Sequence, residues 1–176
     1  KVDASLEQLD RQTMYLTGYI PGVLHHGPED VVVIGLGGGM TVEALANIPG
    51  VKTIDCAELE GTVVEANRLW QDYNNHVLKD PRVRMFITDG RTYVLGSPRK
   101  FDIIASEPSN VWIAGVANLF TREFYRSCQA HLKPRGVMCQ WLQAYGLSRE
   151  CLGYVLHSFF DVFPNGMVWQ SNFGDL

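Results

Sequence analysis

The segment Val31-Val32-Val33-Ile34-Gly35-Leu36-Gly37-Gly38-Gly39-Met40-Thr41 constrains the fold more than any other part of the chain. Four consecutive β-branched residues make a strand only where both of its faces are covered, as in a parallel sheet flanked by helices. Gly35, Gly37 and Gly39 then let the backbone turn tightly into a helix and approach a ligand closely. A glycine-rich turn needs no ligand by itself, so its meaning depends on what the following strands carry to the same edge.

The alternation of strand and helix continues along the chain. A helix is expected over Leu6 to Tyr19, ended by Pro21 and Gly22. After the glycine loop come a helix over Thr41 to Asn47, a strand over Val51 to Cys56 and a helix over Gly61 to Tyr73. Next are a strand over Val83 to Ile87, a short helix over Arg91 to Leu95 and a strand over Phe101 to Ala105. A helix over Thr121 to Leu132 is stopped by Lys133-Pro134-Arg135-Gly136. A strand over Val137 to Trp141 leads to a helix over Ser148 to Phe160, with Ser148 as N-cap. Met167 to Gln170 opens a last strand after the Pro164-Asn165-Gly166 turn. This order predicts an α/β fold, a Rossmann-like, doubly wound, mostly parallel sheet. The 176 residues suit one nucleoside-binding domain, with residues 1–30 as a lead-in helix and loop. The chain starts without Met and stops where a strand begins, so it reads as a fragment lacking the last strand. The sheet edge left unpaired invites association, for example into a homodimer.

Composition excludes several classes. Fifteen Lys and Arg against nineteen Asp and Glu give a net charge of −4, and the longest basic cluster is Arg99-Lys100. A surface that tracks nucleic-acid phosphates is not expected; a cationic small molecule such as a polyamine suits the charge better. Cys56, Cys128, Cys139 and Cys151 form no C-x-x-C pair and share no ligand spacing with the histidines, so they read as reduced thiols of a cytoplasmic protein that holds no metal. No apolar run approaches the ~20 residues that span a bilayer, so no membrane contact is expected of this segment.

The first three predicted strands end in residues suited to a nucleoside. Glu58 follows the second strand, nineteen residues after Gly39, where a carboxylate can take both ribose hydroxyls. The third strand ends at Asp89-Gly90: the carboxylate can accept from an adenine amino group, and Gly90 keeps the pocket wall thin. Asp89 can equally cap the next helix, and the two roles are compatible. The fourth strand ends in Ser106-Glu107-Pro108-Ser109-Asn110, a plausible catalytic loop facing the glycines. Asp102, at the start of that strand, reads as structural.

The combination of these residues resembles the polyamine aminopropyltransferases, the spermidine and spermine synthases. It is most similar to their homologues joined to membrane transporter-like segments. The resemblance runs from about Asp10 to Trp169. It includes Pro21, His25 and Pro28, then Ile34 to Gly39, Glu58-Leu59-Glu60, Asp80-Pro81-Arg82-Val83 and Asp89-Gly90-Arg91. It continues through Phe101-Asp102-Ile103-Ile104, Leu119-Phe120-Thr121-Arg122-Glu123-Phe124-Tyr125 and Leu132-Lys133-Pro134-Arg135-Gly136-Val137. The resemblance implies that Glu58 holds ribose, that Asp89 and Gly90 hold adenine, and that Glu107 takes the catalytic place of an aspartate. It implies transfer of an aminopropyl group from decarboxylated S-adenosylmethionine to an amine, releasing methylthioadenosine without a metal. There are departures. Gly38 stands where the family has the aspartate that grips the donor amine, and Asn110 stands for an aspartate of the acceptor site. Thr13-Met14 replaces a tyrosine-glutamine pair, and the N-terminal β-hairpin domain has no counterpart.

Two other readings stay open at this point. A methyltransferase using S-adenosylmethionine shares the fold and the first three motifs, although Glu107-Pro108-Ser109-Asn110 matches the loop of amine-methylating enzymes only loosely. A non-catalytic adenosyl-ligand-binding domain is favoured by Gly38 and Asn110, and disfavoured by Glu107.

Overall fold

The β-branched run becomes the central strand of a sheet because helices cover both of its faces. The computed structural model describes residues 7–171 and 175–176. In it, β1 (Asp30–Ile34) is flanked by β2 (Thr53–Glu58) and β4 (Phe101–Ser106), with β3 (Val83–Ile87) and β5 (Leu132–Gln140) at the edges. The order is β3-β2-β1-β4-β5, and every pairing is parallel. Side chains alternate between the faces. Val31, Val33, Ile54 and Ile103 pack towards α2 (Met40–Ala46), whereas Val32, Ile34 and Ile104 meet Phe124 and Tyr125 of α5 (Arg122–His131). The remaining helices are α1 (Gln8–Leu24), α3 (Gly61–Ala66), α4 (Gly90–Gly96) and α6 (Arg149–Phe160), the last capped by Ser148 as expected.

The first helix does not stop at Pro21. It runs on to Leu24, with Pro21 and Gly22 buried inside it; the predicted start at Leu6 lies outside the described residues. A mid-helix proline costs about 3 kcal/mol, so packing has to offset it. A Cβ on Gly18 would lie 2.6 Å from Ala44 Cβ and 2.7 Å from Thr41 O, and one on Gly22 would lie 2.5 Å from Ile48 Cγ1. The two glycines, one helical turn apart, let α1 lie directly against α2. Gly18→Ala is therefore expected to destabilise the protein by roughly 1–3 kcal/mol in urea unfolding. Helix propensity alone would give the opposite sign, a gain of about 1 kcal/mol.

Three other boundaries moved. β2 begins two residues later than the sequence indicates, which makes Glu58 its last residue. The predicted helix over Gly61 to Tyr73 ends at Ala66 and gives way to a 3-10 turn at Asn67–Leu69. Lys133-Pro134-Arg135-Gly136 does end α5, but it forms a bulge within β5: Phe101 pairs with Leu132, and Ile103 next pairs with Val137. The strand expected over Met167 to Gln170 is absent. Met167, Val168 and Trp169 are exposed, and among the described residues the segment makes no ladder hydrogen bond. An apolar run becomes a strand only beside a partner, and the antiparallel contact forms later, as a bridge between Asp175 and Gln143.

Asp102 is structural, as expected. It accepts from the backbone N–H groups of Glu29 and Asp30 and from Lys133 Nζ at 2.8–2.9 Å. Burial works to raise its pKa, but these donors together hold it below the ordinary carboxylate range.

Candidate active site

The strand register brings the chemistry-bearing residues into one row. Ile34 pairs with Ala57 on one side and Ser106 on the other, Glu58 pairs with Ile87, and Ser106 pairs with Gln140. Gly35, Glu58 and Glu107 therefore share one level at the carboxyl edge, with Asp89 two residues beyond Ile87. This is the edge where open α/β sheets bind ligands, at the point where strand order reverses between β1 and β4. With strands ~4.8 Å apart, Glu58 and Glu107 sit about 10 Å from each other across β1, a span that a nucleoside can bridge.

Gly35 and Gly39 are glycines for different reasons. Gly35 has φ +89°, and a Cβ there would lie 2.3 Å from Glu107 O, so only glycine lets β1 and β4 close together. Gly39 precedes α2 in the left-handed conformation, φ +83°, with its N–H bonded to Leu36 O. The loop is held from behind by two residues that the sequence reading missed. Asn67 Nδ2 donates to Gly37 O at 3.0 Å, Asn74 Nδ2 donates to Gly38 O at 2.9 Å, and both asparagines are buried. Their seven-residue spacing resembles two turns of an ordinary helix, which is why the sequence hid them. The helix stops at Ala66 and the asparagine side chains bond to backbone instead, as that residue type favours.

Glu58 is 9% exposed, and both carboxylate oxygens already accept: Oε2 from Leu36 N at 2.8 Å and Oε1 from Glu60 N at 3.0 Å. A carboxylate has about four acceptor sites, so capacity for two hydroxyls remains. Asp89 caps α4, its Oδ1 accepting from Thr92 N at 2.7 Å and Thr92 Oγ1 at 2.8 Å. Gly90 is pressed on β1, where a Cβ would fall 2.3 Å from Ile34 Cγ2.

Thr41 Oγ1, on the glycine-loop helix, lies within hydrogen-bond reach of both Glu107 Oε2 and Met14 O, the latter at 2.8 Å, and its single proton serves one of them at a time. Burial pushes the Glu107 carboxyl up to about 7, the Thr41 bond lowers it, and the negative charge of Asp175 adds to the rise. A carboxylate near neutrality is suited to exchanging a proton at working pH. Three residues on, Asn110 is 6% exposed and its Oδ1 is buried without a partner. A side chain at Gly38 would require Met40 and Trp70 to shift. A Cβ would lie 2.6 Å from Met40 Sδ and 3.1 Å from the Trp70 ring. Among the described residues no group of three or more His, Cys, Asp or Glu is placed to hold a metal ion.

A sizeable cavity lies elsewhere. An apolar groove of about 650 Å³ between α1, β5 and α6 is lined by Ile20, Leu24, Met138, Phe159 and Trp169. It contains none of Glu58, Asp89 or Glu107, and it follows the free edge of β5, so size is no guide to the chemistry here.

A model of the spermine/spermidine synthase domain matches residues 13–172. The chain belongs to the spermine/spermidine synthase family. The polyamine aminopropyltransferase of Nitrosomonas europaea is 30% identical over 146 residues, covering 82% of this chain and 45% of that protein. A spermidine synthase solved in complex with the transition-state analogue AdoDATO superposes with a TM-score of 0.80 at 26% identity, over 90% of this chain and 54% of the other. Spermidine synthase from Thermotoga maritima gives a TM-score of 0.77 at 27% identity, over 92% and 54%. The chain thus spans about half the length of the relatives it matches. The likeness bears out the Rossmann-like fold of the class I methyltransferase type. Among the described residues no helix is long and apolar enough to cross a membrane.

Proposed function

We propose that this domain is an aminopropyltransferase that binds decarboxylated S-adenosylmethionine, or S-adenosylmethionine itself, across the ends of β1, β2 and β3. Glu58 takes the ribose hydroxyls, Asp89 and Gly90 border the adenine, and the loop of Gly35, Gly37 and Gly39 lies under the rest of the ligand. Glu107 and Asn110 face a small amine on the other side. The observation that carries this reading is the half-buried Glu107, level with Gly35 and two strands from Glu58 in a member of this family. The AdoDATO complex of a spermidine synthase relative supports the same ligand class.

The chemistry follows from the positions. An amine acceptor is protonated at neutral pH and attacks only after losing a proton. Glu107 takes that proton, and the nitrogen lone pair forms a bond to the methylene carbon beside the sulfonium. The carbon–sulfur bond breaks and its electron pair stays on sulfur, releasing methylthioadenosine. Assaying for methylthioadenosine against S-adenosylhomocysteine tests this: the first supports aminopropyl transfer, and the second would make the domain a methyltransferase. Neither product, with the ligand still bound, would leave a non-catalytic adenosyl-binding domain, the reading favoured by the filled space at Gly38.

Four free cysteines favour a reducing compartment such as the cytoplasm, and the cytoplasmic side of a membrane-tethered protein meets that condition equally. The acidic balance argues against nucleic acid as a partner. β5 is an edge strand, with unpaired backbone groups on its outer side. Self-association into a homodimer is expected in light scattering, and a monomer at every concentration would remove that expectation.

A further inference from the structure

We propose that Asp175 is the second carboxylate of the amine site, holding an ammonium group of the acceptor together with Glu107. This inference deepens the aminopropyltransferase reading and rests on it. Both carboxylates are linked to the same turn of α1. Thr13 Oγ1 donates to Asp175 Oδ2 at 3.2 Å, and the carbonyl of the next residue, Met14, shares the Thr41 hydroxyl with Glu107. Asp175 is fixed there by backbone pairing. It bridges Gln143, and Leu142 and Leu176 exchange two hydrogen bonds of 2.8 Å. Gln143 lies three residues beyond Gln140, the β5 residue paired with Ser106, so this bridge stands beside the loop that carries Glu107.

A second observation points to a ligand with N–H donors. Gln143 is 1% exposed, yet its Oε1 has no hydrogen-bond partner. Asp175 Oδ1 is likewise buried without a close partner, and burial holds the Asp175 carboxyl up against the Thr13 and Trp141 side chains that lower it. Residues opposite one another in an antiparallel pair present their side chains on the same face, so both acceptors face the same way. Neither Glu107 nor Asp175 takes part in an ion pair among the described residues. Burial is what chiefly raises the pKa of Glu107, and the negative charge of Asp175 raises it further. A buried acceptor without a donor costs free energy, and a cation shared by two carboxylates removes that cost. A primary ammonium, with three donors on a compact charge, is the chemical class that satisfies the set. Asp175 thereby supplies a negative charge that the neutral Asn110 does not.

The test is binding of 1,4-diaminobutane to the protein saturated with methylthioadenosine, followed by calorimetry. Asp175→Asn keeps the backbone bridge and is expected to weaken diamine binding at least about tenfold, with methylthioadenosine affinity unchanged within twofold. Asp175→Glu, which restores the charge, is expected to recover most of the loss; a purely structural role would not be rescued this way. Unchanged diamine affinity in Asp175→Asn overturns the assignment, as does a wild type that binds methylthioadenosine but no diamine. If methylthioadenosine fails to bind, the adenosyl reading has failed, and the diamine comparison is then made on the protein alone with the same two outcomes.

Discussion

Glu107→Gln is expected to cut turnover about a hundredfold or more while leaving affinity for the adenosyl ligand unchanged. The substitution keeps the shape and removes only the group that accepts a proton. With the carboxyl pushed up to about 7 by burial, the wild type should show kcat/KM rising as pH passes through that value, because the deprotonated form is the base. The variant should lack this limb. The same shift makes a claim about stability. A folded pKa above that of a free glutamate means that the folded state binds more protons between about pH 4.5 and 7, so the contribution of this group falls as pH rises through that window and then levels off. Glu107→Gln should therefore be more stable than wild type at pH 8, by roughly 1–3 kcal/mol in urea unfolding. A gain in stability with a loss of turnover marks a group kept for chemistry. Equal turnover in both proteins would remove Glu107 from the mechanism.

Glu58→Ala carries the second large effect. Removing a charged acceptor of two hydroxyls costs roughly 1.5–3 kcal/mol of ligand binding, or about 10- to 150-fold in Kd. Here the loss extends to the protein, because the same carboxylate holds Leu36 N in the glycine loop and Glu60 N after β2. Glu58→Gln, which keeps one oxygen, should lie between the two. Calorimetry with methylthioadenosine measures all three, and an unchanged Kd in Glu58→Ala would place the ribose elsewhere.

The parts of the site legible in the sequence are those carried by period and punctuation. Four β-branched residues followed by three spaced glycines locate the central strand and its loop, and the acidic residues stand at the ends of the next strands. The strand shift that buries Glu58 within β2 did not alter that reading, because the order of the elements fixes the edge even when a boundary moves by two residues. What stayed hidden depends on contacts far apart in the chain. Asn67 and Asn74 look like surface residues of a helix until the loop carbonyls of Gly37 and Gly38 are beside them. Pro21 looks like a stop until Gly18 and Gly22 are seen against α2. Asp175 has no local pattern at all; its position is set by a bridge to Gln143 and a hydrogen bond from Thr13, 162 residues away. The apolar run at Met167 to Gln170 misled for the same reason, since a strand needs a partner that periodicity cannot supply.

The most direct test of the central claim is titration of the folded wild type with methylthioadenosine and with S-adenosylmethionine and its decarboxylated form. Saturable, one-to-one binding of at least one of them is expected, weakened in Glu58→Ala and unchanged in Glu107→Gln. A folded wild-type protein that binds none of the three would contradict it.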